Sequence, residues 1–110
     1  MRLLTDTLKQ RFKEVGKQGS NPLVIAKFFD PFGSATWYAT EYDPETNVCY
    51  GYVTGLIEDE WGYFSIDELE ASRREVSMVI LGQKITTTGR LERDLYFKET
   101  RINTLKNINK

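Results

Sequence analysis

The sequence predicts an α+β domain: a short antiparallel sheet, made of a meander plus a later strand, with two flanking capped helices. Three observations carry this expectation. Helix-start signals stand at Thr5 and Ser65, runs of alternating residues rich in tyrosine lie between them, and turns bearing Pro and Gly separate those runs. A length of 110 residues suits one core, so 1–110 is expected to be a single domain, with 101–110 as a final helical turn or a frayed basic tail.

The first helix has Thr5 as N-cap, Asp6 in its first turn and Gly16 as its stop. Leu4, Leu8, Phe12 and Val15 recur at helical spacing and form one apolar stripe. Lys9, Arg11, Lys13 and Lys17 fall largely outside it, which leaves a basic outer face that is either solvated or able to touch phosphates or an acidic partner. Pro22 opens Leu23 to Phe29, an apolar run broken by Lys27 and read as a strand covered on both faces. Asp30-Pro31-Phe32-Gly33-Ser34 then supplies turn chemistry.

From Thr36 to Tyr42 the alternation puts Thr36, Tyr38, Thr40 and Tyr42 on one face, and Trp37, Ala39 and Glu41 on the other. Asp43 to Asn47 turns the chain. Val48 to Leu56 then sets Tyr50, Tyr52 and Thr54 against Cys49, Gly51, Val53 and Gly55. Glycines weaken a strand unless something packs closely over them, so a helix or the Trp37 ring is expected against that small-residue face.

Glu58-Asp59-Glu60-Trp61-Gly62 reads as a loop leading to a second, short helix that ends near Arg73. Ser65 and Glu68 form a capping box, Phe64 and Leu69 a hydrophobic staple, and Asp67 adds negative charge at the positive helix end. Further on, Met78 to Leu81 can be a buried strand, with Gly82-Gln83 turning into Ile85 to Thr87. Leu91 to Phe97 reads as a strand with Leu91, Arg93, Leu95 and Phe97 on one face, and Glu92, Asp94 and Tyr96 on the other. In the tail, Ile102, Leu105 and Ile108 repeat every three residues.

Composition excludes whole classes of chemistry. There is no histidine and one cysteine, Cys49, so zinc sites, Ser-His-Asp and Cys-His pairs and two-histidine iron sites cannot be built. Neither a metal nor a cofactor is expected, and catalysis would have to use carboxylates, Lys, Arg, Tyr or hydroxyls. Arg2, Asp6, Lys9 and Arg11 interrupt the N-terminus, and the longest apolar runs fall far short of the roughly 20 residues that span a bilayer. A lone thiol suits a reducing compartment, so a cytoplasmic location away from membranes is expected. The net charge is −1, but residues 41–75 hold ten acidic and two basic groups between two basic ends. Such a distribution can orient a partner, or its charges can intermingle as ordinary solvated faces once the chain is folded.

Lys27-Phe28-Phe29, Ala35-Thr36-Trp37-Tyr38-Ala39-Thr40-Glu41, Gly62-Tyr63-Phe64-Ser65-Ile66-Asp67-Glu68-Leu69-Glu70 and Leu91-Glu92-Arg93-Asp94-Leu95-Tyr96-Phe97 form four ordered blocks. With the opening Leu3-Leu4-Thr5, they resemble the signature segments of the bacterial domain-of-unknown-function family 2958. The resemblance implies no reaction, because none is assigned to the family. It implies a setting on plasmids, phages and other mobile elements, and with it an accessory or counter-defence role. Val76 to Gly89 looks longer than the family's connection at that place.

Two candidate sites emerge. Glu41, Asp43, Glu92 and Asp94 could perform acid–base work or hold Mg²⁺, with Lys27 and Arg93 gripping an anionic substrate. Alternation sets Arg93 opposite Glu92 and Asp94, and cross-strand salt bridges among Lys27, Glu41 and Arg93 account for the same residues. The second site is aromatic: Tyr38, Tyr42, Tyr50 and Tyr52, with Trp61 and Tyr63 beside the acidic Glu58, Asp59 and Glu60. Tyr and Trp give large contact area at small entropic cost, and the local acidity favours a protein partner with a basic face over nucleic acid. The competing reading half-buries these tyrosines under a helix, and Trp61 is either an interface anchor or a ring tucked under the sheet. A DNA mimic would need strong overall negative charge, which leaves only local mimicry through Glu58, Asp59 and Glu60. The expected function is a small non-enzymatic protein-interaction module, an accessory or counter-defence protein of a plasmid or phage. The alternative is a carboxylate-dependent enzyme or small-anion binder.

Overall fold

Thr5 sits in extended backbone, and its Oγ1 accepts a hydrogen bond from the Leu8 N–H at 3.1 Å, which starts helix α1 (Asp6–Val15). Gly16, at φ 68°, ends it, as the sequence predicts. The computed structural model describes residues 2–105. Leu3, Leu4 and Phe12 are buried, and Leu8 and Val15 pack beside them onto Phe28, Trp37, Ala39, Cys49, Phe64 and Ile66. This is the main core.

The sheet at its centre is antiparallel and five-stranded, in the order β5-β4-β3-β2-β8: β2 (Ala26–Phe29), β3 (Thr36–Asp43), β4 (Val48–Thr54), β5 (Glu60–Ser65) and β8 (Glu92–Arg93). The expected strand Leu23 to Phe29 is interrupted at Ile25. Its first part, β1 (Leu23–Val24), leaves the sheet and pairs with β9 (Thr100–Arg101). The expected strand Leu91 to Phe97 is likewise cut to two residues. Asp94 turns the chain there by accepting the Tyr96 N–H at 3.0 Å on its side chain and the Phe97 N–H at 3.3 Å on its carbonyl.

Glu60 to Gly62 is strand, not loop. Trp61 and Tyr63 alternate with Gly62 and Phe64, and the register Tyr52↔Trp61 and Tyr50↔Tyr63 brings their rings onto those of β4. Ser65 then caps α2 (Ile66–Ala71), its Oγ accepting the Glu68 N–H at 3.2 Å, and Phe64, Ile66 and Leu69 join the main core. The helix has six residues and ends before Arg73. Two flanking helices therefore overstate the helical part: nine strands among the described residues make the fold β-rich.

A bulge in β3 redistributes the tyrosines. The β3–β4 register shifts between Ala39 and Glu41, so Thr40 is an extra residue and every side chain beyond it changes face. Trp37 and Ala39 face the main core, and past the bulge it is Tyr42 that does so, its ring 5.8 Å from Phe12. Tyr38 points to the opposite face, where it is buried with Val24 and Ile102 against Tyr52, Phe97 and Leu105. The single face of Tyr38 and Tyr42 expected from strict alternation does not form. Gly51 answers the same bulge: a Cβ there would strike the Tyr38 carbonyl and the Ala39 backbone. Neither Gly51 nor Gly55, which abuts the Ser34 carbonyl, is needed to make room for a helix or the Trp37 ring.

The stretch after α2 forms a two-stranded ribbon, β6 (Arg74–Ile80) with β7 (Gln83–Gly89), turning at Leu81 and Gly82 with positive φ of 52° and 81°. It is exposed, not buried. Met78, Val79, Ile80 and Ile85 face solvent and Leu81 is 99% exposed, because among the described residues β6 and β7 pair only with each other, and the ribbon meets Phe32 only at its base, beside the buried Gly89. Arg74 ties its base to the body through Asp30 at 2.8 Å. In the tail, Ile102–Thr104 makes one 3-10 turn that buries Ile102, while Ile108 and the rest of 106–110 lie outside the described residues.

Two outcomes follow from this packing. Phe12→Ala should cost about 3–5 kcal/mol and Leu8→Ala, half-buried, about 2 kcal/mol, measured by urea denaturation. Burial works to raise the Asp30 pKa, but the Arg74 guanidinium and the Phe32 N–H bonded to its carboxylate outweigh it and hold it below its usual 3.8. A depressed carboxylate stabilises above its unfolded value and loses that contribution as pH falls through the folded one. The drop in urea midpoint below about pH 4 should therefore be smaller in Asp30→Asn than in the parent chain.

Candidate functional site

The β-sheet register lines up Lys27, Tyr38, Tyr52 and Trp61 as one row across four strands, with Tyr50 and Tyr63 in the row beside it. Lys27 Nζ lies 5.9 Å from the centre of the Tyr38 ring. The Trp61 ring stacks on Tyr50 at 5.8 Å and 17° and meets Tyr52 edge-on at 5.2 Å, while Tyr50 and Tyr63 are 4.9 Å apart. These are favourable aromatic geometries that hold the rings rigidly.

Exposure is graded along the rows. Tyr63 is 79% exposed and Trp61 38%, Tyr50 and Tyr52 are half-buried, and Tyr38 is 5% exposed. The gradient arises because Phe97, Ile102 and Leu105 cover the Tyr38 end, and burial there pushes the Tyr38 phenol pKa up. The cover is thus a C-terminal segment with one 3-10 turn, not an α-helix. Tyr42 is elsewhere: its hydroxyl donates to Asn47 Oδ1 at 2.6 Å, and burial, followed by the negative charge of its neighbours, raises its pKa.

At the open end of the rows, Glu58, Asp59 and Glu60 are exposed, with Leu56 and the wholly exposed Ile57 just before them. Asp59 accepts the Gly55 N–H at 3.1 Å, and among the described residues none of the three acids is in an ion pair. The exposed Leu56 and Ile57 have no periodic signal in the sequence. The edge strand β5 does have one, the alternation of Trp61 and Tyr63 with Gly62 and Phe64, which the surrounding acids disguise.

The carboxylates do not converge. Glu41 accepts the Gln18 N–H at 2.9 Å, and Asp43 organises the β3–β4 turn by accepting from Glu45 N and Thr46 Oγ1. Glu92 is exposed on β8 beyond β2, and Asp94 pairs with Lys27 at 3.5 Å. Among the described residues no three acidic or thiol groups could hold a metal ion. Arg93 is also committed, donating to the carbonyls of Arg2 and Leu3 at 3.0 and 2.8 Å. The cross-strand pairing expected among Lys27, Glu41 and Arg93 is replaced by these three separate attachments.

A cleft of about 1010 Å³ lies between α1 and the β3–β4 hairpin, with Phe12, Tyr42, Tyr50 and Tyr63 in its lining. Lys9 and Lys13 of α1 and Lys17 just after it line the cleft, and so do Asp6, Glu41 and Asp43. Three charges of each sign give no preference for an anion. Cys49 is buried in the main core, and burial pushes its pKa up to about 12. It should therefore resist thiol reagents at neutral pH in the folded protein and react fully once denatured, a contrast that a colorimetric thiol titration reads directly.

No helix among the described residues is long and apolar enough to cross a membrane. Searches of curated proteins and of solved structures found no match to this chain. The sequence pattern of one family, described as "Protein of unknown function (DUF2958)", matches residues 2–105, and the chain belongs to that family.

Proposed function

We propose that this chain is a small, non-enzymatic, cytoplasmic protein-interaction module that binds a partner with a basic face through Tyr50, Tyr52, Trp61 and Tyr63. The observation that carries the reading is the graded aromatic face, packed where its rings stack and open at Trp61 and Tyr63, beside three exposed acids. Rigid aromatic rings bind at little entropic cost, and exposed acids steer a cationic partner toward them. The separate attachments of Glu41, Asp43 and Asp94 weigh against the carboxylate-enzyme alternative. Engagement of Lys27 and Arg93 by Asp94 and by backbone carbonyls likewise weakens the anion-binding alternative. In the mobile-element setting implied by the sequence blocks, the partner is a host protein and the role accessory or counter-defence.

Tyr63→Ala separates binding from folding. It should leave stability within about 0.5 kcal/mol, while Trp61→Ala, losing two ring contacts, should cost about 1–2 kcal/mol. Both should release the partner recovered by quantitative affinity purification from a bacterial host lysate. Retention of that partner by both variants would sink the reading.

A further inference from the structure

β5 is the last strand of the sheet, and no strand pairs with its outer side among the described residues. The direction of its backbone groups follows from the register. Ile66 N donates to Asn47 O at 3.0 Å, and that pair continues the register Val48↔Ser65. In an antiparallel pair, bonded and non-bonded residues alternate. Phe64, Gly62 and Glu60 therefore exchange bonds with β4, while Tyr63 and Trp61 do not. The Tyr50 carbonyl agrees: opposite Tyr63, it turns away to β3 and accepts from Thr40 Oγ1 at 3.0 Å. The N–H and C=O of Trp61 and Tyr63 thus point outward, two residues apart, at the roughly 7 Å repeat of an incoming strand.

Proteins usually guard such an edge with Lys, Pro or a covering element. β5 has neither Lys nor Pro, and among the described residues no strand pairs with its outer edge. Lys9, Lys13 and Lys17 share a cleft with Tyr63, but Asp6, Glu41 and Asp43 balance them there, so the unbalanced charge beside the strand is acidic. No Lys or Arg occurs from Phe28 to Ser72, Glu58 to Glu60 precede the outward-facing residues, and Asp67 and Glu68 follow them. A second copy of this chain fits poorly, because antiparallel β5–β5 pairing about a two-fold axis would set Glu58 to Glu60 of one copy against Asp67 and Glu68 of the other.

We propose that the open edge of β5 takes an extended segment of a partner protein as an added strand, with Lys or Arg at the segment's ends and alternating β-branched or aromatic residues between. This rests on the reading of the aromatic face as a protein-binding surface and specifies how the partner attaches. Main-chain hydrogen bonds to Trp61 and Tyr63 hold the segment, their two rings receive its alternate side chains, and the flanking acids select its charge.

The test uses the full chain and a display library of random ten-residue peptides. Enriched peptides should be basic at both ends, and their binding should protect the Trp61 and Tyr63 amides from hydrogen exchange measured by NMR. Tyr63→Pro removes an outward donor without breaking a bond to β4, so it should weaken binding about tenfold beyond Tyr63→Ala. A thermal melt checks its folding, and the exchange measurement on the parent chain decides the matter if that variant is unfolded. Peptides that bind through Trp61 but leave both amides unprotected overturn strand addition while sparing the aromatic reading. Enrichment without basic ends, or no enrichment, overturns the assigned occupant. Protection of both amides in a self-associated free protein, detected by sedimentation, overturns it in favour of a second copy.

Discussion

The extra residue in β3 would leave a buried carbonyl at Thr40 without a strand partner, and such a group must be bonded or the fold loses several kilocalories. Gln18 bonds it. Its Nε2 donates to Thr40 O and to Leu23 O at 2.9 Å each, its Oε1 accepts the Leu23 N–H at 2.7 Å, and its backbone N–H reaches Glu41. One side chain thereby joins the end of α1, the departure of β1 from the sheet and the bulge. The face change at Thr40 depends on it, and so does the sorting of Tyr42 to the core and Tyr38 to the aromatic rows.

The two faces of the sheet are closed by different ends of the chain. On one, the N-terminal segment is clamped by Arg93 on the Arg2 and Leu3 carbonyls and by Glu70 on the Leu3 N–H at 2.7 Å. On the other, Phe97, Ile102 and Leu105 cover only the Tyr38 end, and Arg11 holds this segment near α1 through a forked pair with Glu99. Partial cover is what divides the aromatic rows into a buried, structural end and an open one.

Caps were legible because a cap is local: Thr5, Gly16 and Ser65 each act within one turn of their helix. The meander was legible for a similar reason, since its turns carry their own Pro, Gly and Asp residues. The bulge was not, because Thr40 differs in no intrinsic way from its neighbours and its partner Gln18 lies 22 positions away. Gly51 did mark the place, but a strand glycine shows only that something comes close, and here it is the neighbouring backbone. The β6–β7 ribbon misled in the other direction. An apolar run such as Met78 to Leu81 implies burial only if another element arrives to cover it, which no local pattern reveals. At the candidate site, the tyrosines of β4 were readable from alternation, whereas the free edge of β5 required knowing the strand order.

The ribbon's two ends, Arg74 and Gly89, lie directly opposite each other in the register. A chain that leaves the body and returns to nearly the same point can be lengthened or shortened there with little change in loop-closure entropy. Descendants of this sequence are thus free to gain or lose whole pairs of residues in the ribbon, in steps of two that keep its faces in phase, while Gln18, the bulge and the aromatic rows remain undisturbed. Length polymorphism in this ribbon, outside the sheet locked by its bulge, is the variation the architecture most readily tolerates.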